Sequence, residues 1–140
     1  MRQCILDTDT LSYVLDARYP EVNDVSRQYY RVFGYYSVTV ITITEIVEGL
    51  SAVENYAGLE DFRKRLTTYE VFPVESEEAN LASEILGALR RTGQGIDDLD
   101  PFIAAISIVN SRPLVTNNSV LYQRIIDLGF GLELDNWKAS

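Results

Sequence analysis

Residues 4–11 read Cys4-Ile5-Leu6-Asp7-Thr8-Asp9-Thr10-Leu11, a short apolar run ended by an aspartate and followed by hydroxyl and carboxyl side chains of the kind that cap helices. The expected local structure is a buried strand ending at Asp7, then a helix with Leu11, Val14 and Leu15 on its apolar face. Working outward, the same alternation recurs. Pro20 suits a helix start, and Val22, Val25, Tyr29 and Val32 follow at helical spacing until Gly34. The β-branched run Val38 to Ile43 predicts a second strand, with Glu45 opening the next helix, on which Ile46, Leu50 and Val53 share a face. A shorter helix is expected over Leu59 to Leu66 and a third strand over Tyr69 to Val74. Ser76 then caps a helix running to Gly93. Asp100-Pro101 sets a capping carboxylate before a proline, and Phe102 to Val109 is so apolar that its helix must be buried. Pro113 to Thr116 predicts a fourth strand, Ser119 to Leu128 a helix, and Leu132 to Leu134 an edge strand. Strands alternating with helices predict an α/β fold built on a parallel sheet.

The 140 residues are 46% hydrophobic and 24% charged, which suits one domain over residues 1–140 that can bury a core without disulfides or zinc. With one cysteine, Cys4, and no histidine, an intramolecular disulfide, Cys/His zinc sites and every imidazole-based mechanism are excluded. Any acid, base or metal ligand must then be a carboxylate. The net charge of −9 argues against nonspecific nucleic-acid binding as the main activity and favours a basic partner or a bound cation. No run approaches the roughly 18 apolar residues of a membrane span, so the expectation is a soluble, cytoplasmic protein with no membrane contact.

In an open parallel sheet, ligands bind beyond the carboxyl ends of the strands. Asp7, Glu45, Asp100 and the Thr116-Asn117-Asn118 group are all expected at that end. Crowded carboxylates repel one another and hold their protons unless a divalent cation neutralises them, and hard oxygen donors select Mg2+ or Mn2+. The chemistry this implies is metal-assisted hydrolysis. Each acid also has a structural alternative. Asp7 and Asp100 are good helix caps, Glu45 suits a helix dipole, and Glu48 and Glu54 suit a solvated face.

Five segments, taken in order, resemble the PIN-domain ribonucleases and, within them, the VapC-type toxins of toxin-antitoxin modules. They are Ile5 to Leu11, Thr44-Glu45-Ile46-Val47-Glu48-Gly49-Leu50, Asp100-Pro101-Phe102-Ile103-Ala104-Ala105, Leu114-Val115-Thr116-Asn117-Asn118, and Leu132-Glu133-Leu134-Asp135-Asn136-Trp137. The resemblance implies a three-layer fold, with a central parallel five-stranded sheet flanked by helices, and a homodimer. It also implies Mg2+-dependent endoribonuclease activity at a site built on Asp7, Glu45 and Asp100 as metal ligands, with a metal-activated water attacking the RNA phosphodiester. A cognate basic antitoxin would restrain it, directing an arginine into the carboxylates. Two departures stand out. Asp9 occupies a position where the family often has asparagine, and the family's fourth acid falls on Asn118 or Leu121. Asn118 could still hold a metal-bound water through its amide oxygen, and Asp97 and Asp98 lie just upstream of Asp100.

Asp7-Thr8-Asp9-Thr10 also resembles the first motif of haloacid-dehalogenase-type phosphatases, with Asp7 as nucleophile, Asp9 as acid and Thr116 binding phosphate. That family needs a further lysine and acidic pair, whereas the only lysines here are Lys64 and Lys138. A third alternative is a catalytically inactive PIN-like binding domain. Two other groups remain: the aromatics Tyr29, Tyr30, Phe33, Tyr35 and Tyr36, which suit packing or base stacking, and the cations Arg63-Lys64-Arg65 and Arg90-Arg91, which suit solvated faces or RNA phosphates.

Overall fold

A computed structural model describes residues 1–138; residues 139–140 at the end of the expected domain lie outside the described residues. The chain runs β1 (Ile5–Leu6), α1 (Thr8–Asp16), α2 (Pro20–Phe33), β2 (Ser37–Thr39), α3 (Val40–Ala52), α4 (Tyr56–Leu66) and β3 (Glu70–Phe72). It continues through α5 (Ser76–Arg91), α6 (Asp100–Val109), β4 (Leu114–Val115), α7 (Ser119–Asp127) and β5 (Leu134–Asp135). Every strand pairing is parallel, and each crossover carries one or more helices.

Successive strand residues point to opposite faces, and this divides the interior in two. Ile5 and Leu114 enter one core with Ile85, Leu89, Ile103, Ile106 and Tyr122 from α5, α6 and α7. Leu6 and Val115 enter the other with Leu11, Val22, Tyr29 and Phe62 from α1, α2 and α4. Helices therefore cover both faces, as the alternation of strands and helices requires. Helix α6 is the most enclosed, with Ile103, Ala104, Ala105 and Ile106 all fully buried.

The expected five-stranded sheet is not continuous. The structure holds a three-stranded sheet in the order β1-β4-β5 and a separate pair, β2-β3. The reason lies at the edge of β1. The Ile5 and Asp7 N–H groups donate to Pro113 and Val115 on the β4 side, so the Cys4 N–H points the other way, toward β2. There the buried Tyr29 hydroxyl of α2 accepts it at 3.1 Å, taking the place a strand carbonyl would fill. The β2-β3 pair is pinned separately by Arg112. Its guanidinium donates to Glu70 at 2.7 Å and Ser37 at 3.2 Å, and lies over the Phe72 ring.

Several boundaries also move: the edge strand is Leu134–Asp135 in place of Leu132 to Leu134, α4 starts at Tyr56 in place of Leu59, and three further shifts have a visible cause. Residues 40–43, expected as strand, form the first turn of α3, because Thr39 caps that helix by accepting the Thr42 N–H. Burial of Ile41 and Thr42 overrides the β preference of the run. Glu45 consequently sits in the second turn, not at the helix start. Helix α5 is capped by Glu75 in place of Ser76, with the Glu78 side chain accepting the Glu75 N–H. The N-cap of α6 is Leu99, and Asp98 accepts the Asp100 N–H, so Asp100 is not the capping group.

Candidate functional site

Asp7 caps α1 and belongs to the site at once. One carboxylate oxygen accepts the Thr8 N–H at 2.7 Å, and the other accepts the Thr116 hydroxyl at 2.7 Å, across from β4. The Thr116 hydroxyl in turn accepts the Asn118 N–H at 2.9 Å, which fixes the turn after β4. Asp9, the second residue of α1, accepts the Thr10 N–H and the Asn117 N–H. The oxygen that accepts from Asn117 thus ties α1 to the same turn. That arrangement does not suit the phosphatase alternative, which needs Thr116 and Asp9 free for a phosphate and its leaving group.

Glu45 reaches the cluster from the other pair of strands. Thr8 donates its hydroxyl proton to Glu45 at 2.8 Å, so the contact with Thr42 at 3.0 Å must have Thr42 as donor. Thr42, Thr8 and Glu45 form a short directed chain between α1 and α3, the helices that follow β1 and β2. Asp100, on the first turn of α6, leaves its carboxylate free of side-chain partners among the described residues, facing the same group of acids.

The electrostatics follow from this crowding. Burial, and then the neighbouring charge of Asp9, push the Asp7 carboxyl up to about 6 from an ordinary 3.8, against the hydrogen bonds from Thr116 and Thr8. Burial and then the charges of Asp7, Asp98, Glu45 and Asp9 push Asp100 up to about 7. Asp9 is also raised, chiefly by burial. Such acids lose protons reluctantly unless positive charge arrives.

Tyr122 was not singled out by its sequence. Its ring is wholly buried, its hydroxyl has no hydrogen-bond partner among the described residues, and its titration is pushed far up by burial and then by Asp7, Asp100, Asp9 and Glu45. It sits next to Leu121, where a missing acid drew attention, and its spacing with Ile125 reads simply as core. The expected fourth position is less enclosed: Asn118 is exposed at the start of α7, while Leu121 packs inward. Asp97 and Asp98 are exposed, and of the two only Asp98 bears on Asp100. Glu48 and Glu54 are exposed as expected. Cys4 is buried and its thiol pushed up to about 12 by desolvation, so it is no nucleophile.

The donor set is all hard oxygen, which fits Mg2+ or Mn2+, and an orphaned buried hydroxyl lies beside it. Among the described residues, no three acids stand close enough to clasp an ion directly as they are placed. Side-chain turning or bridging water would have to complete the coordination.

A comparison with protein-family profiles finds no match. In sequence, the chain is 28% identical over 96 residues to Ribonuclease VapC1 of Methanocaldococcus jannaschii, spanning 69% of this chain and 68% of that protein. In fold, it is similar to a chain of the DNA-bound VapBC complex from Salmonella typhimurium, with TM-score 0.79 and 21% identity over 98% of this chain and 99% of that one. It is likewise similar to a chain of VapBC-1 from nontypeable Haemophilus influenzae, with TM-score 0.81 and 19% identity over 99% and 100% of the two chains. The resemblance to VapC-type PIN proteins thus holds in sequence over two-thirds of the chain and in fold over nearly all of it.

Proposed function

We propose that this VapC-type chain is a metal-dependent endoribonuclease and the toxin of a toxin-antitoxin module. The observation that carries this is the meeting of Asp7, Asp9, Glu45 and Asp100, from three separate parts of the chain, in one partly buried cluster where Asp7, Asp9 and Asp100 have raised proton affinity. The likeness to Ribonuclease VapC1 and to chains of VapBC complexes supports both the RNA substrate and the antitoxin partner. Asp7, Asp100 and Glu45 would hold a Mg2+ or Mn2+ ion, which when bound would supply an electrophile and an activated water for in-line phosphodiester hydrolysis.

The chain's own residues would do the rest. Thr116 and the Thr8 N–H fix both Asp7 oxygens, and Thr8, itself held by Thr42, aims Glu45. Tyr122 offers a buried hydroxyl to whatever polar group enters, and Asn118 lends an amide at the rim in place of a fourth acid. A basic antitoxin segment placing an arginine among the carboxylates would neutralise them as an ion does, so inhibition should weaken as Mg2+ rises.

The test is cleavage of single-stranded RNA with Mg2+ and with excess chelator. Activity should require the metal, leave 5′-phosphate and 3′-hydroxyl ends, and fall on the order of a thousandfold in Asp7→Asn and Asp100→Asn. Persistence of cleavage in chelator would refute the metal mechanism. No cleavage by the parent under any divalent cation would favour a binding domain, to which the amide at Asn118 would then belong.

A further inference from the structure

A second concave surface lies away from the carboxylates. Four cations line a cavity of about 640 Å³: Arg27 and Arg31 of α2, and Lys64 and Arg65 of α4. No acidic side chain lines it, in a chain whose net charge is −9. Tyr30, Tyr35 and Tyr69 supply aromatic walls, and Tyr30 is 53% exposed. Lys64 and Arg65 spend part of their charge on Glu60 and Asp61 one turn earlier, but Arg27 and Arg31 form no ion pair among the described residues.

This cavity adjoins a cleft that leads from the carboxylate site, and Asp16 and Asp61 also line that cleft. A neighbouring cleft of about 470 Å³ begins at Thr8 and Glu45 and ends at Leu15 and Arg65, both of which also line the tyrosine-arginine cavity. Along α1 the path from Thr8 to Leu15 is about 10 Å. A flexible strand gripped at the acids would reach the cations within a few nucleotides.

We propose that the Arg27, Arg31 and Tyr30 cavity is a subsite for single-stranded RNA, holding phosphates and a stacked base at a fixed distance from the scissile bond. The inference rests on the nuclease reading above and extends it to substrate positioning. Guanidinium groups one turn apart suit phosphate oxygens, and an exposed tyrosine between them suits a base face of any sequence. Clustering four of twelve basic residues here lets a strongly acidic protein hold an anion that the rest of its surface repels. The remaining cation pair is elsewhere: Arg91 lines a separate shallow pocket with Asn80, Ser83, Glu84 and Phe130.

The test measures binding of a mixed-sequence oligoribonucleotide of roughly ten nucleotides to the full chain in excess chelator, over a range of salt. The double variant Arg27→Gln/Arg31→Gln should weaken binding on the order of tenfold and flatten the salt slope by about 0.7 for each charge removed. Tyr30→Ala should weaken binding comparably while keeping the parent's slope. Arg90→Gln/Arg91→Gln removes the same charge from another surface and should keep the parent's affinity within about twofold and its slope unchanged. Equal slopes for the parent and Arg27→Gln/Arg31→Gln, or equal losses for the two arginine pairs, would overturn the subsite. So would loss of binding to a polyglutamate peptide without loss of RNA binding, which would assign the cavity to a protein partner. If RNA binding shows the expected dependence but Mg2+ brings no cleavage, the nuclease reading falls and the subsite stands. If the parent cleaves RNA and the variants bind and cleave as it does, the reverse holds.

Discussion

Replacing Asp7 by asparagine should make the metal-free protein more stable above neutral pH. The parent carboxyl is buried, with 5% of its surface exposed, and its proton affinity is raised from 3.8 to about 6. The native state therefore holds the proton more tightly than the unfolded chain does. Stability from this group is fully present below about pH 4 and is lost as pH rises through about 6; the difference corresponds to about 3 kcal/mol. The neutral amide avoids that cost but cannot accept the Thr116 hydroxyl at the replaced oxygen, which costs about 1 kcal/mol. The net gain of about 2 kcal/mol, over an unfolding entropy of about 2 cal/mol/K per residue, raises the melting temperature by about 5–8 °C. Thermal melts followed by circular dichroism in chelator, at about pH 4, 6 and 8, would show the gap opening with pH. A variant that melts below its parent at about pH 8, or a gap independent of pH, would refute the crowding inferred at Asp7.

Three further outcomes follow from the same geometry. Tyr122→Phe removes a buried hydroxyl that has no partner, so urea unfolding of the metal-free protein should show no loss and up to about 1–3 kcal/mol of gain; a clear loss would mean that the hydroxyl is bonded. Thr116→Val removes a bond that lowers the Asp7 pKa, so an NMR titration should find this carboxyl above about 6, and an unchanged midpoint would detach Thr116 from it. Ile103→Ala opens a hole in the fully buried α6 and should cost about 2–5 kcal/mol in urea unfolding, whereas a cost below about 1 would place that helix outside the core.

Asp7 was legible because an apolar run ending in an aspartate is both a strand end and a helix cap, and the structure uses it as both. Helices α2 and α7 were equally legible, since Pro20, Gly34 and Gly129 carry punctuation that depends only on local backbone geometry; Gly34 and Gly129 do adopt positive φ. Residues 40–43 misled because β-branched side chains favour strands locally, while the Thr39 cap and the burial of Ile41 are tertiary facts. Asp100 misled in the opposite sense. Its place before Pro101 imitates a cap, and only the fold shows that Asp98 takes the backbone N–H and leaves Asp100 facing the other acids. The burial of Tyr122 beside the acids and the shared cavity of Arg27 and Lys64 depend on which helix lies beside which, and no periodicity within one helix carries that. Sheet continuity was hidden for the same reason, because one tyrosine hydroxyl from a distant helix decided it.

That hydroxyl has a mechanical consequence. Backbone ladders are stiff, since sliding one strand breaks several bonds together, but β1 and β2 lie in separate ladders: the Cys4 N–H beside β1 is taken by Tyr29 of α2, and the seam is crossed by hydroxyls of the helices that follow the strands, Thr42 of α3 to Thr8 of α1 and Thr8 back to Glu45 of α3. Asp7 rides on one side of this seam and Glu45 on the other, so the spacing between them is set by rotatable hydroxyls and not by a rigid lattice. The acidic mouth is thus sprung, able to change the gap between its two jaws at the cost of reorienting threonines while both flanking sheets keep their form.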